Sequence, residues 1–259
     1  VFLMARETIP HIPIHLSTQA NTTNLNAVRF WESQGVKRVN LARELSLDEI
    51  REITSQCTVE TEAFVHGAVC VSYSGRCLLS RFLSDRDSNR GQCSHPCRWQ
   101  YTVCEEQRPG QYLPIAEDKR GTYLFNSKDL CMIEHLDKMI ATGLTSLKIE
   151  GRMKSIHYLA STVKTYREAI DTYYDDPENF EVQQHWLEIL DAVSLRGYST
   201  NFYLNDPDAV TPAYIKTPPA TRRTFAAKVL ENIGSGQTRI QVRNKICLND
   251  SVDILTRTG

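Results

Sequence analysis

The sequence of 259 residues predicts an α/β protein: a parallel sheet or TIM-like (β/α) barrel, represented by its C-terminal half, with an elaborated Cys-rich loop region and a small β module behind it. Three observations carry that expectation. Apolar runs and amphipathic stretches alternate as strand and helix from Ile12 to Tyr174, the alternation lapses over residues 66–121 where most of the cysteines lie, and a period-two pattern starts at Phe225.

The elements follow in order. Ile12–Ser17 (IPIHLS) reads as a strand, and Asn24–Gly35 as a helix with Leu25, Val28, Phe30 and Trp31 on its apolar side. Val36–Leu41 is the next strand, and Ser46 with Glu49 forms a capping box that opens a helix over Leu47–Ser55. Val59–Val65 is a third strand that runs into His66, Gly67 and Cys70. Residues 66–121 then lack periodicity and hold Arg, Ser, Gly and Cys, the composition of a long functional loop. Ser127–Ala141 is predicted as a helix, Thr145–Glu150 as a fourth strand, Ser155–Tyr174 as a long helix and Glu181–Leu195 as another, after a break at Pro177. Asp206–Arg223 is a Pro-bearing linker with a basic end, and FAAKVL, TRIQVR and SVDIL around Gly234-Ser235-Gly236 predict the β module. The expected organisation is a partial barrel over 1–205 with a Cys-rich insertion at 66–121, a linker over 206–223 and a truncated module over 224–259. Four βα units make half of an eight-stranded barrel, and the chain opens without Met, so earlier strands are expected to be missing.

Charge narrows the function. Lys and Arg number 30 against 31 Asp and Glu, so an RNA contact would need a local basic face rather than bulk charge. No apolar run approaches the roughly 18 residues that span a bilayer, and VFLMARETIP lacks a signal pattern; the chain reads as soluble and cytoplasmic, with no membrane partner.

Six of the eight cysteines lie between Cys70 and Cys131. Without a secretion signal, this points to metal or redox chemistry rather than a disulfide scaffold. A zinc ribbon would show C-x2-C knuckles, and none occurs. The irregular spacing suits thiolates that converge from several loops on one iron-sulfur cluster. The bland alternative is a set of small buried hydrophobes.

The stretch EAFVHGAVCVSYSGRCLLS (Glu62–Ser80) resembles the signature of the collagenase-like peptidase family of unassigned catalytic class. HLSTQANTTN, DRDSNRGQCSHPCRWQY, NSKDLC and SLKIEGRMKS resemble further blocks of the same family, so the resemblance covers nearly the whole chain. It looks most like the branch that hydroxylates tRNA. That resemblance implies a (β/α) barrel and an oxygen-independent hydroxylation of RNA, giving 5-hydroxyuridine at the tRNA wobble position with prephenate as hydroxyl donor. It also implies a 4Fe-4S cluster on Cys70, Cys77, Cys93 and Cys131, with Cys97 as a possible substitute, while Cys57, Cys104 and Cys247 match no ligand position.

Residue chemistry adds candidates at strand ends, where barrel enzymes build their sites. His66 follows the third strand and is a candidate proton-transfer group; Glu150, Arg152 and Lys154 follow the fourth. A dianionic donor such as prephenate needs a cationic fork, which Arg152 and Lys154 supply; a solvated Arg and Lys at a helix start is the plain alternative. Gln19, Asn21, Arg76, Arg98, Trp99 and Tyr101 are the candidate substrate contacts, since guanidinium and aromatic faces stack on unpaired bases. Arg81, Arg86 and Arg90 crowd the same region, and Lys216, Arg222 and Arg223 add charge before the β module. Expected partners are tRNA, the small-molecule donor and a homologous subunit. A peptidase is the rival reading, although neither HExxH nor GxSxG occurs; a non-catalytic metal-bearing scaffold is the third.

Overall fold

A computed structural model describes residues 1–70, 72–99, 102–104, 112–114, 128–194, 197–205 and 224–256. The chain divides into two units, Val1–Glu150 with Arg196–Lys216, and Gly151–Leu195 with Thr217–Gly259.

The first unit is a mixed α/β unit built on a six-stranded sheet. Strand β1 (His15–Leu16) pairs in parallel with β2 (Arg38–Asn40), β2 with β3 (Glu60–Ala68), and β3 with β7 (Ser146–Ile149). These four strands are parallel neighbours in chain order, which is what successive strand–helix–strand crossovers produce. The crossovers are α2 (Leu25–Ser33), α3 (Leu47–Thr54) and α5 (Leu136–Ala141). Val28, Val39, Ile50, Ile53, Ala63, Val65, Leu136 and Met139 form the buried core.

Local chemistry sets the helix starts. Asn24 caps α2 by accepting the Ala27 N–H at 2.9 Å. Ser46 and Glu49 make the expected capping box: the Ser46 hydroxyl accepts the Glu49 N–H, and the Glu49 carboxylate accepts the Ser46 N–H at 2.8 Å.

The cysteine-rich region holds the short helix α4 (Leu79–Ser84) and the strands β4 (Thr102–Cys104) and β5 (Tyr112–Pro114), which pair antiparallel. Strand β6 (Asp129–Cys131) then joins the main sheet antiparallel to β3, and β8 (Tyr198–Ser199) lies parallel to β6. The Tyr203 hydroxyl donates to the Phe64 carbonyl at 2.6 Å, which fixes the segment after β8 to β3.

Several expectations need correction. A helix α1 (Phe2–Thr8) precedes β1, and β1 itself is only two residues long. The helix expected over 127–141 is instead β6, a 3-10 turn at Ile133–His135 and the shorter α5. Leu130, Ile133, Leu136 and Met139 recur every third residue and mimic a helix, but the Met132 N–H donates to the Val65 carbonyl, and sheet pairing overrides the local pattern. His66 lies inside β3 rather than after it, because the strand runs on to Ala68.

The second unit contains α6 (Ile156–Asp175) and α7 (Gln184–Val193), which pack against each other, with Tyr166 and Ala169 of the one and Trp186 and Leu190 of the other buried and Ser155 capping α6. It also holds an antiparallel hairpin of β9 (Ala227–Gly234) and β10 (Gln237–Val242). SVDIL forms no strand there, and the linker 206–223 lies outside the described residues. Among the described residues no helix is long and apolar enough to cross a membrane.

Ser46→Ala removes one half of the capping box and is expected to lower stability by about 1 kcal/mol, read as a lower urea midpoint with an unchanged slope.

Candidate functional site

Strand β3 gathers the chemistry of the first unit because it serves three partners, β2 along Glu60–Glu62, β7 along Glu62–His66 and β6 along His66–Ala68. Its alternation buries Thr61, Ala63 and Val65 on one side and leaves Glu60, Glu62 and Phe64 half-buried on the other. On that second side one carboxylate collects donors from both neighbouring strands. Glu62 accepts from Asn40 Nδ2 at 3.0 Å, Ser146 Oγ at 2.9 Å and Lys148 Nζ at 3.0 Å, with Arg38 Nη1 at 3.6 Å. Burial pushes the Glu62 carboxyl up, but Lys148, Ser146 and Arg38 outweigh it and hold the group below the ordinary glutamate value.

At the far end of β3, His66 is fully buried, opposite Cys131 on β6, with its ring 5.1 Å from that of Tyr198. The Glu150 N–H donates to the His66 carbonyl at 2.8 Å, so two of the predicted site residues meet through the main chain. Gly67 makes this approach possible: its φ is +110°, and a Cβ there would lie 2.1 Å from the Glu150 carbonyl oxygen.

The loop that leaves β3 is held at the C-terminal ends of the parallel strands. Glu44 accepts the Ser74 N–H at 2.8 Å and the Ser74 hydroxyl at 3.2 Å. Arg43, buried, donates to Ser74 Oγ from Nε and from Nη2, both at 3.3 Å. Gly75, at φ +74°, lies so close to the backbone of Gln19 that a Cβ would sit 2.1 Å from the Gln19 oxygen. The main chain of the predicted contact Gln19 therefore touches the cysteine loop. Gln19 lies in the 3-10 turn Thr18–Ala20, which Asn21 ends with φ +52°. Sequence reasoning passed over Arg43, Glu44 and Ser74; Ala-Arg-Glu at a strand end, with an Arg in an apolar setting, was the available signal.

The cysteines differ in environment. Burial raises the Cys77 thiol, yet N–H donors at Leu79 and Ser80 and the Ser72 hydroxyl bring it below its ordinary value. Cys93 Sγ accepts the His95 N–H at 3.3 Å. Cys131 is half-buried in β6, Cys97 half-buried in the 3-10 turn Pro96–Arg98, and Cys70 exposed. A thiol held toward its thiolate form and a sulfur that accepts an N–H bond are donor types an iron-sulfur cluster uses, so Cys77 and Cys93 fit in kind. Among the described residues no three Cys, His, Asp or Glu side chains are grouped to hold one metal ion. Cys57 is half-buried and Cys247 exposed; the Cys104 side chain lies outside the described residues.

Arg76 and Trp99 are exposed; the Arg98 side chain and Tyr101 lie outside the described residues. Arg152 and Lys154 fall in the second unit, in the turn that leads into α6, where the Lys154 ammonium lies 4.7 Å from the Tyr158 ring centre.

The sequence pattern of Peptidase family U32 matches residues 1–211. The chain belongs to that family. "tRNA hydroxylation protein P1" of Bacillus subtilis is 42% identical over 96% of this chain and 59% of its own length. "tRNA hydroxylation protein P" of Escherichia coli is 36% identical over 100% of this chain and 66% of its own length. "Collagenase" of Porphyromonas gingivalis is 35% identical over 74% of this chain and 48% of its own length. The chain thus spans less than two thirds of the length of these U32 relatives. No solved structure matches it significantly. The U32 signature expected from Glu62 onward now has a structural content: its Glu62 is the carboxylate at the centre of the sheet network, and its Gly67 and Gly75 are the two close-approach glycines.

Two outcomes are expected. Gly67→Ala forces the backbones of β3 and Glu150 apart and should cost at least about 2 kcal/mol, measured by denaturant unfolding. Glu62 has a lowered folded pKa, so its contribution is present above the unfolded value of about 4.3 and is lost as pH falls through the folded one. The stability gap between wild type and Glu62→Gln should therefore be full at neutral pH and shrink under acid, in urea titrations at both pH values.

Proposed function

We propose that this chain carries out oxygen-independent hydroxylation of tRNA, forming 5-hydroxyuridine at the wobble position with prephenate as hydroxyl donor. The observation that carries the reading is the 36–42% identity, over 96–100% of the chain, to two proteins named for tRNA hydroxylation. In this reading the four parallel strands of the first unit are consecutive strands of a (β/α) barrel, and the site lies at their C-terminal ends. A homologous subunit completes the expected partners.

Cys70, Cys77, Cys93 and Cys131 are assigned to a 4Fe-4S cluster, with Cys97 as the alternative ligand. The His95 N–H on the Cys93 sulfur and the lowered Cys77 thiol support that assignment. Such a cluster would supply electron transfer or tie the loop to the sheet, since four sulfur ligands leave no open iron. Arg152 and Lys154 are assigned to the carboxylates of the donor, which a guanidinium binds in bidentate fashion. His66 and Glu150 are assigned to proton handling at the end of β3.

The peptidase reading draws on the family's description and on the collagenase relative. It fits the residues less well. A thiol nucleophile needs its base beside it, whereas Cys70 is exposed and His66 is buried opposite Cys131.

The test begins with anaerobically purified chain. About four iron and four sulfide per chain, lost in Cys77→Ser, are expected. Nucleoside mass spectrometry of tRNA incubated with prephenate should then show 5-hydroxyuridine with wild type and not with Cys77→Ser or Arg152→Ala. Zinc in place of iron, or gelatin cleavage that survives chelation, would overturn the assignment.

A further inference from the structure

We infer that the loop following β3 carries a docking surface for unpaired RNA bases, formed by Tyr73, Leu78, Phe82 and Trp99 together with Arg76, Arg86 and Arg90. The inference rests on the tRNA reading and deepens it by naming the surface.

Exposure is the first observation. Phe82 is 85% exposed, the highest of any aromatic side chain among the described residues, and Leu78, Tyr73 and Trp99 are 72%, 66% and 46% exposed. Single exposed apolar side chains are ordinary, but four in one short region are the mark of a surface that meets a partner. This surface is also fixed from behind. The Ser80 hydroxyl lies 3.1 Å from that of Ser94, the Ser84 hydroxyl bonds Ser94 as well, and Ser88 donates to the Cys77 carbonyl at 2.7 Å. These bonds pin the inner side of α4 against the turns at Ser88–Arg90 and Pro96–Arg98, and Trp99 follows directly on the second turn. The Arg76 N–H closes a turn onto the Tyr73 carbonyl, and Ser74 between them is held by Arg43 and Glu44 at the strand ends.

Charge identifies the occupant. Residues 72–99 contain five arginines and two aspartates, with no Lys or Glu, in a chain whose net charge is -1. Both aspartates are engaged: Asp85 pairs with Arg81 at 2.9 Å, and Asp87 accepts the Asn89 N–H at 2.9 Å. The guanidinium groups of Arg76, Arg86 and Arg90 have no acceptor among the described residues. Free guanidinium groups interleaved with exposed rings complement a strand of phosphates and unstacked bases; a paired duplex would offer the phosphates without faces to stack.

The experiment is fluorescence anisotropy with a labelled RNA stem-loop and a fully paired RNA duplex, across a salt series. Wild type should bind the stem-loop more tightly than the duplex. Phe82→Ala should weaken the stem-loop roughly ten-fold while its salt dependence stays the same, as loss of one stacked base predicts. Arg86→Ala with Arg90→Ala should weaken it and reduce the salt slope by roughly 1.4, the loss of two single-strand phosphate contacts. These side chains are exposed, and unchanged circular dichroism would confirm folding. If wild type binds the stem-loop and the variants match it, or if the duplex binds equally well, the surface assignment falls and the tRNA reading stands. If wild type binds neither RNA, the tRNA reading falls too.

Discussion

The short length of β3 from Phe64 to Ala68 is where the first unit is most constrained. Over these residues one strand changes partners, from parallel β7 to antiparallel β6, and the register shifts between Phe64 and His66. A backbone that serves two strands of opposite direction must present its N–H and C=O groups to both without leaving any buried and unpaired. The Val65 carbonyl goes to Met132, the His66 carbonyl goes to Glu150, and the Phe64 carbonyl takes the Tyr203 hydroxyl. Only a residue without a side chain can stand at Gly67, where the Glu150 carbonyl fills the space of a Cβ. His66, Cys131 and Glu150 are therefore brought to one place by hydrogen bonds of the main chain, whatever their side chains do.

A second constraint ties the cysteine loop to that place. A buried guanidinium is costly unless its N–H groups find acceptors. Arg43 meets this need through Ser74 Oγ and the Ser72 carbonyl, and Ser74 in turn engages both oxygens of Glu44. The Ser74 hydroxyl thus stands between a cation and an anion from the end of β2. Arg43 reaches the carbonyl of the same Ser72 whose hydroxyl is among the groups that hold the Cys77 thiol below its ordinary value. The bonds that satisfy a buried charge also decide where the loop, its exposed rings and its thiols stand.

Much of this was legible in the residues. The capping box at Ser46 and Glu49 and the strands around Val39, Ala63 and Leu147 follow from local side-chain chemistry and apolar spacing. The family was legible too, because its signature runs through residues that the backbone needs, Gly67 and Gly75 among them. The helix expected over 127–141 gives way to a strand and a shorter helix for an equally physical reason. Its apolar residues recur every third position, and a local period cannot report that Val65, far away in sequence, offers a carbonyl to Met132.

What the sequence determined by itself is therefore the inventory: alternating strands and helices, their caps, a cysteine-rich loop, and a local excess of arginine within a chain of nearly neutral charge. The tertiary structure decided the meetings. That Glu62 collects Asn40, Ser146 and Lys148, that Arg43 clamps Ser74, and that His66 is sealed opposite Cys131 all depend on residues from separate strands and loops. Local propensity acts over a few residues and fixes elements one at a time, whereas a buried charge or carbonyl is satisfied by whichever group the fold carries to it.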